Sequence, residues 1–291
     1  MKLLLTSMIA LLLLYAAGVL VVHVIVFFLA LRLFHIAKFS TDGSDILLLS
    51  PDEEAHPDDL EFLLQCHEEG QQLGLVSLGD FELMDVVIRT VISCWEVPGT
   101  DLAVSHAKYQ PVQNAKLRPR IVKEAHNRSS AGCNLGVTTN ALSLLNSKIE
   151  QPAGSVLVVR PTESPTTELI GIAWAVAANQ NIPLTTTERG TDYEAELRNL
   201  RSESSDRAVK AKVMKQDQSG DLRYSVYGCL LYSVSALPII MRTKSYLHTK
   251  KSNRIYAAAE HLLPIDRSDS WIIAAVQDRV RTGSTAPLTQ P

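Results

Sequence analysis

The feature that most constrains this chain is an uncharged apolar run over residues 3–31. A membrane hydrocarbon core about 30 Å thick needs roughly 20 apolar residues in a helix, so this run is long enough to cross it. A cleaved signal peptide is the alternative, because Lys2 precedes the run and residues 15–18 include small side chains. The apolar sequence continues over residues 19–31, well past the roughly 7–15 residues of a signal-peptide core. The sequence therefore predicts a retained, single membrane span.

Charge is distributed unevenly along the chain, whose formal net charge is −3. Residues 39–88 contain 13 Asp or Glu and no Lys or Arg, whereas residues 89–291 contain 25 Lys or Arg and 18 Asp or Glu. This indicates an acidic tether and a basic distal surface, or else ordinary solvated faces.

Basic residues on the two sides of the span nearly balance, so they decide little about its orientation in the membrane. The scattered cysteines, interpreted as reduced buried thiols, favour a cytoplasmic soluble domain.

Residue patterns after the span predict an α+β fold. We expect a transmembrane anchor at 1–38, an acidic tether at 39–57, an α+β soluble domain at 58–263, and a C-terminal helix with a disordered tail at 264–291. Short segments rich in Val, Ile, Leu and Thr, separated by turn signals, predict strands. They cover residues 75–83, 86–95, 102–109, 117–126, 131–140 and 156–160. Short connections favour antiparallel neighbours, so we predict an antiparallel meander sheet flanked by helices.

Helical patterns lie on both sides of these strands. Residues 58–73 begin with acidic side chains, and their helical face carries Leu60, Leu63, Leu64 and His67. A second helix is predicted over residues 168–178, after a Ser-Pro start signal. Residues 192–216 carry few apolar positions among many charges, which predicts an exposed helix or helix pair. Residues 228–241 are apolar and predict a further helix.

Three stretches of the soluble part resemble a known group of proteins. They are LGLVSLGDF at residues 73–81, GVTTN at residues 136–140 and YSVYG at residues 224–228. Together with the acidic helix before them, they make residues 58–250 similar to a loose group of uncharacterised bacterial single-span membrane proteins. The resemblance implies the same anchored arrangement, and it brings no activity or site residue with it.

A search for catalytic motifs assigns no catalytic residue. The sequence has no G-x-G-x-x-G, P-loop, H-E-x-x-H or G-x-S-x-G. Residues 132–136 have the spacing of a nucleophile elbow, but Asn134 at its centre cannot act as the nucleophile. Residues 66–69 combine a Cys, a His and two Glu, yet adjacent helical side chains point about 100° apart, so we expect them not to converge. Asp80, beside Gly79, is expected to serve a turn or bulge.

Three residues are weak candidates for a metal site. His106, His126 and Cys133 lie on predicted strands, and three such groups hold zinc when they converge. Their wide and irregular spacing favours chance over a designed site. We therefore predict no metal and no other cofactor, and keep this trio as an alternative.

A second membrane contact is predicted after residues 228–241. This apolar run is too short to cross a bilayer, and such runs are usually core helices or interfacial segments. No acidic residue occurs at 222–254, and the basic residues after the run are Arg242, Lys244, Lys250, Lys251 and Arg254. Anionic lipid headgroups attract each such residue by about 1 kcal/mol. These five are the predicted membrane-surface contacts, with a buried core helix and a solvated basic exit as the alternative.

Two classes of function remain open. The missing motifs favour a non-catalytic interaction or scaffolding module, anchored by one span, whose partners are the lipid bilayer and an unidentified protein. The alternative is a membrane-tethered hydrolase or metal-binding protein whose site is assembled from scattered residues. Nucleic-acid binding is not expected, because the basic residues lack interleaved aromatic residues and a recognisable motif.

Overall fold

The computed structural model describes part of the chain in detail. The described residues are 2–34, 46–49, 57–84, 88–111, 120–127, 157–161, 166–182 and 193–235, with isolated positions between 240 and 274. The chain divides into two compact units. The helix unit comprises residues 1–41 and 204–251, and the sheet unit comprises residues 42–203 and 252–291.

The first helix carries the predicted span. Helix α1, Lys2–Phe34, has 33 residues and is therefore about 50 Å long. Its segment Thr6–Arg32 is the one described helix that is long and apolar enough to cross a membrane. Large apolar side chains stand exposed around most of its circumference. Length and composition thus agree with the predicted anchor.

The sheet unit is built on a six-stranded sheet in which every pair of neighbours is antiparallel. In sheet order the strands are β1 Ile46–Leu49, β2 Val76–Met84, β3 Ile88–Glu96, β4 Leu102–Pro111, β5 Arg120–Asn127 and β6 Leu157–Pro161. Sheet order follows chain order among the described strands, so the predicted antiparallel sheet flanked by helices is confirmed, although β5 pairs directly with β6, between which the prediction places another strand. The predicted strand at 131–140 lies outside the described residues. Strand β1 was not predicted, because it lies within the expected acidic tether and is an apolar run without alternation.

Strand β2 contains the bulge expected beside Asp80. The pairing register between β2 and β3 shifts between Ser77 and Gly79. Gly79 has a φ of 121°, a backbone conformation that favours glycine. The extra residue resets the alternation of β2, so Asp80 lies opposite Ser93 on the same face of the sheet.

Three helices cover the two faces of the sheet. Helix α2, Pro57–Gln72, packs on β2 and β3, and helix α3, Thr166–Asn179, packs on β5 and β6. Both lie on the face that includes Val91 and Val104, where α2 contributes Phe62 and Leu63 to the core. Helix α4, Tyr193–Lys210, begins on the opposite face, where it joins a cluster of Phe81, Leu83, Ile92, Cys94, Ala107, Tyr193 and Leu197. Successive strand residues point to opposite faces, which is why Val91 and Ile92 belong to different clusters.

The rest of the helix unit is a small hairpin followed by a capped helix. Strands β7 Met214–Gln216 and β8 Leu222–Tyr224 pair across a turn at residues 217–221, so the end of the predicted helical stretch 192–216 is a strand. Helix α5, Val226–Ser235, follows directly. Its N-cap is Ser225, whose Oγ accepts a hydrogen bond of 2.9 Å from the Gly228 N–H. The apolar helix predicted over 228–241 is therefore present over 228–235, and most of the remaining stretch lies outside the described residues.

Candidate functional site

The richest cluster of chemically active groups lies where α2 and α3 meet on the sheet. We call it the polar seam, and it consists of Cys66 and Glu69 from α2, His106 from β4, Lys123 from β5 and Thr166 at the start of α3. Cys66 and Glu69 are three residues apart, so they share one face of their helix. The β4–β5 register pairs His106 with Lys123, which sets the two side by side. The fold thus gathers five functional side chains from four elements.

Hydrogen bonds in the seam fit one consistent arrangement of its protons. The Thr166 hydroxyl donates to Glu69, so its oxygen is left to accept from the Nε2–H of His106 at 3.3 Å. With Nε2 as the donor, Nδ1 of His106 accepts from the Cys66 thiol, whose Sγ lies 3.3 Å away. In this arrangement the imidazole is neutral and the thiol carries its own proton.

The electrostatics of the seam agree with this proton arrangement. Burial lowers the pKa of His106 to about 4, although the neighbouring Glu69 carboxylate opposes that change. Burial and the negative charges of Glu69 and Asp80 raise the pKa of the Cys66 thiol to about 12. Both groups are therefore uncharged at neutral pH, and no thiolate forms.

Glu69 provides the one negative charge of the seam. Its two carboxylate oxygens accept from the Lys123 ammonium at 2.7 and 2.8 Å. Burial by itself raises the pKa of Glu69, but the hydrogen bonds from Lys123 and Thr166 outweigh it, and the pKa is lowered. The backbone N–H of Thr166 also donates to Glu69 at 3.3 Å. A carboxylate of α2 therefore caps the N-terminus of α3, where a helix favours negative charge.

A second polar cluster ties the start of α2 to the same face of the sheet. The Asp59 carboxylate, completely buried, accepts from Lys108 at 3.1 Å, from Gln110 at 3.1 Å and from Arg89. Arg89 also pairs with Glu82 on β2. We call Asp59, Glu82, Arg89, Lys108 and Gln110 the ion cluster. Its two carboxylates balance its two cations, as the Glu69–Lys123 pair does in the seam.

His67 and Asp80 form a third contact beside the seam. Nε2 of His67 lies 2.7 Å from Oδ2 of Asp80, and the imidazole meets the Trp95 ring edge to face at 5.0 Å. His67 is partly buried, which agrees with its predicted place at the edge of the core. The sheet-facing side of α2 thus has polar contacts at its start, in the ion cluster, and over residues 66–69, with the apolar side chains of Phe62 and Leu63 between them.

Of the three predicted metal-site residues, the structure describes two. The β4–β5 register pairs His106 with Lys123 and Ala103 with His126. The register therefore places His126 opposite a position three residues away from His106, not beside it. Cys133 lies outside the described residues. No group of three His, Cys, Asp or Glu that could hold a metal ion occurs among the described residues. The zinc hypothesis stays a prediction, and the geometry pairs His106 with Cys66.

The predicted membrane-surface residues lie in the helix unit and just beyond it. Arg242, Lys250 and Arg254 have helical backbone and exposed side chains. The Lys250 ammonium lies 5.9 Å from the centre of the Tyr246 ring. Lys244 and Lys251 lie outside the described residues. The structure therefore places three of the five positive charges at the surface.

The cysteines give a direct chemical test. Cys66, Cys94 and Cys229 are free and buried, so the folded full-length protein is expected to leave these three unmodified by iodoacetamide at pH 7. In urea without reductant, all four cysteines are expected to react, and peptide mass spectrometry gives the sites. Rapid alkylation of folded Cys66 would mean that the thiol is accessible and ionised, contrary to its burial and raised pKa.

Sequence reasoning missed most of the seam. Adjacent side chains at residues 66–69 point apart, whereas Cys66 and Glu69, three residues apart, both reach the seam. His106 was singled out, but its partners Lys123 and Thr166 come from elements far away in the chain. Only the i, i+3 spacing of a thiol and a carboxylate could have indicated the cluster.

Comparison of the chain with family models, with curated proteins and with solved structures finds no match.

Proposed function

We propose that this protein is a single-pass membrane-anchored interaction module, with its soluble part in the cytoplasm and without catalysis of its own. We propose further that it binds an extended peptide segment of a partner protein along β1. The observation that carries the proposal is the exposed apolar edge formed by this strand. The free thiols of Cys66, Cys94 and Cys229 support the cytoplasmic location.

Strand β1 forms one end of the sheet. It pairs with β2 on one side, and no described strand pairs with its other side. Leu47 and Leu48 are 52% and 50% exposed, one on each face of the strand. Unpaired backbone groups beside apolar side chains are a template for another strand. An extended peptide would gain main-chain hydrogen bonds from the edge and side-chain contacts from the two leucines.

An exposed apolar stripe of α2 enlarges this surface. Leu49 packs against the core cluster under α2, so Leu47, two residues away, lies on the face toward that helix. On α2, Leu60 is 43% and Leu64 is 62% exposed. Exposed apolar residues that are grouped in this way mark an interaction surface more often than isolated ones do.

Negative charge near β1 in the sequence indicates what charge a binding partner should carry. The acidic residues close to β1 in the sequence are Asp42, Asp45, Asp52, Glu53 and Glu54, and no Lys or Arg occurs at residues 39–88. A second copy of β1 would bring two such acidic sets together, which is unfavourable. The partner that fits is therefore an apolar extended segment with Lys or Arg on both sides of it.

The state of the polar seam supports a non-catalytic role. A cysteine nucleophile acts as the thiolate and needs access to substrate. Cys66 is 3% exposed, and its pKa is raised to about 12. The charges of Glu69 and Lys123 compensate each other, which suits a structural tie between helices.

One observation favours a second function, a thiol hydrolase. The Cys66 thiol and the His106 imidazole are 3.3 Å apart, a distance at which an imidazole can activate a thiol. That function needs α2 to move away from the sheet so that substrate reaches Cys66. Alkylation of Cys66 in the folded protein at pH 7 would favour it over the interaction module.

The proposed edge is tested with a defined peptide. Full-length protein in phosphatidylcholine nanodiscs is titrated into fluorescently labelled KKVIVIVKK, and binding is followed by anisotropy. We expect saturable binding that Leu48→Lys weakens about tenfold, because a lysine on an edge strand blocks pairing and repels the basic peptide. Gln218→Lys, in the exposed turn of the other unit, is the matched variant and should bind as the wild type does.

Two further peptides separate strand addition from charge attraction. KKVIPIVKK keeps the charge but loses a backbone donor at proline, and EEVIVIVEE reverses the charge. Both are expected to bind much more weakly than KKVIVIVKK. Absence of KKVIVIVKK binding, or equal binding by the proline peptide, would refute the edge-strand site.

A further inference from the structure

Helix α5 packs on the apolar surface of α1 within the helix unit. The Cys229 Sγ lies 3.7 Å from the backbone carbonyl oxygen of Ala30, and both residues are buried. The side chains of α1 that are shielded from solvent follow a helical stripe, which consists of Val19, His23, Val26, Phe27, Ala30 and Leu31. On α5 the shielded positions include Cys229 and Ser233. Small residues at such a contact let two backbones approach closely, as in membrane helix pairs.

The contact lies beside apolar residues of the span. Phe28 and Leu29, next to Ala30, are 61% and 53% exposed, and Ile25 one turn earlier is 53% exposed. In a membrane anchor these side chains face lipid. Because α5 touches Ala30, it lies at the same level as this lipid-facing surface.

The outer surface of α5 is itself apolar. Val226, Tyr227 and Leu230 are 57%, 49% and 41% exposed. Residues 226–241 contain no charged side chain. The buried Ser233 hydroxyl donates to the carbonyl of Leu230 in its own helix at 2.8 Å. A lipid environment offers no water to polar groups, so a hydroxyl there needs a hydrogen-bond acceptor within the protein, as Ser233 has.

We propose that α5 is a second membrane element, immersed in lipid beside the end of α1, with its Val226, Tyr227 and Leu230 surface against acyl chains. The inference rests on the proposed membrane anchor. The ligand is the bilayer, because the exposed apolar surface of α5 continues that of the span and carries no charge.

The basic residues that follow α5 add a headgroup preference. Arg242, Lys250 and Arg254 are exposed, and no acidic residue occurs at 222–254. Positive side chains held near a bilayer attract anionic lipids, and the anchor keeps their effective concentration high. The same membrane contact therefore includes anionic headgroups around the residues after Met241.

Lipid contact is measured directly with a fluorescent probe. Bimane is attached to single added cysteines in full-length Cys133→Ser protein, since Cys66, Cys94 and Cys229 are buried. The positions are Tyr227→Cys and Leu230→Cys on α5, Leu14→Cys on the span and Lys215→Cys on β7 as the water-exposed control. Each protein is placed in nanodiscs that contain lipid with a spin label on the acyl chain. We expect the two α5 probes and Leu14→Cys to be quenched about tenfold more strongly than Lys215→Cys.

The outcomes separate the anchor from the inference. Quenching at Leu14→Cys without quenching at Tyr227→Cys or Leu230→Cys overturns the inference and leaves the anchor in place. Absence of quenching at Leu14→Cys overturns the anchor, and the inference with it. A bimane at Tyr246→Cys tests the headgroup preference, and stronger quenching with phosphatidylglycerol than with phosphatidylcholine alone is expected. Equal quenching in the two lipids overturns that part.

Discussion

Replacing Asp59 with alanine is expected to lower the free energy of unfolding of the sheet unit by about 3–5 kcal/mol. The Asp59 carboxylate is fully buried and accepts from Arg89, Lys108 and Gln110. Alanine removes the carboxylate that lies 3.1 Å from the Lys108 ammonium and that also accepts from Arg89. Glu82 still pairs with Arg89, so the cluster is left with one positive charge in excess, and such a charge in a poorly solvated site costs far more than the lost hydrogen bonds alone.

Urea unfolding of the full-length protein in detergent measures this effect. Tryptophan fluorescence is a suitable signal, because Trp95 lies under α2, in contact with His67. Glu61→Ala is the matched control, since it removes an exposed carboxylate from the same helix. Its effect is expected to stay within about 0.5 kcal/mol. If Asp59→Ala and Glu61→Ala had the same effect, the ion cluster would not hold α2 on the sheet.

The Asp59 carboxylate also makes the free energy of unfolding depend on pH, and the direction of that dependence can be stated. Burial alone raises the pKa of Asp59, but the hydrogen bonds and positive charges of Arg89 and Lys108 outweigh it, so the pKa falls below its ordinary 3.8. A lowered pKa stabilises the folded state above the unfolded pKa, and this contribution is lost as pH falls through the folded value. The difference in unfolding free energy between wild type and Asp59→Asn should therefore be constant above about pH 5 and shrink below pH 4.

Gly228→Ala is expected to destabilise α5 by about 3 kcal/mol, near the upper end of the cost of overpacking. A Cβ at this position would lie 2.2 Å from the carbonyl oxygen of Val213 and 3.1 Å from Cδ1 of Tyr224. A backbone oxygen cannot rotate away as a flexible side chain can, so the helix itself must shift. The gain of about 1 kcal/mol that alanine brings to a helix is smaller than this cost.

Amide hydrogen exchange in nanodiscs measures the local free energy of opening for Val226–Ser235. Gly18→Ala is a close control, because a Cβ at Gly18 meets no atom within 4 Å and the substitution is the same. It is expected to leave exchange in α5 unchanged. Unchanged protection in Gly228→Ala would contradict the close contact between the N-terminus of α5 and Val213.

The sheet could be predicted from sequence because its signals are local. Turn residues bound each of the strands β2 to β6, and short connections made antiparallel pairing the natural choice. Strand β1 escaped prediction for a physical reason. Ile46–Leu49 is a continuous apolar run among acidic residues, and it becomes a strand by pairing with β2 far along the chain. Such a segment shows no period of two in its own sequence.

The candidate site could be predicted only in part, because its geometry depends on register. His106 was identified as a chemically interesting residue, but its distance to His126 or Lys123 depends on how β4 pairs with β5. Eight residues, 112–119, separate the two strands, and a connection of that length does not fix the register as a two-residue turn does. A shift of one residue would have moved a different set of side chains onto the face of α2.

The bonds between Glu69 and Thr166 have a consequence for synthesis of the chain. These residues are 97 positions apart, so at about 5–20 residues per second α2 is made roughly 5–20 s before α3 can cover it. During that interval Glu69 lacks its bonds to Thr166, whereas the partners of Asp59 and Cys66 lie on β3 and β4 and are made earlier. An entirely apolar helix face in this position would adhere to the nearby membrane or to other nascent chains. The polar groups on the buried side of α2 keep that side hydrated until the partner residues have been synthesised.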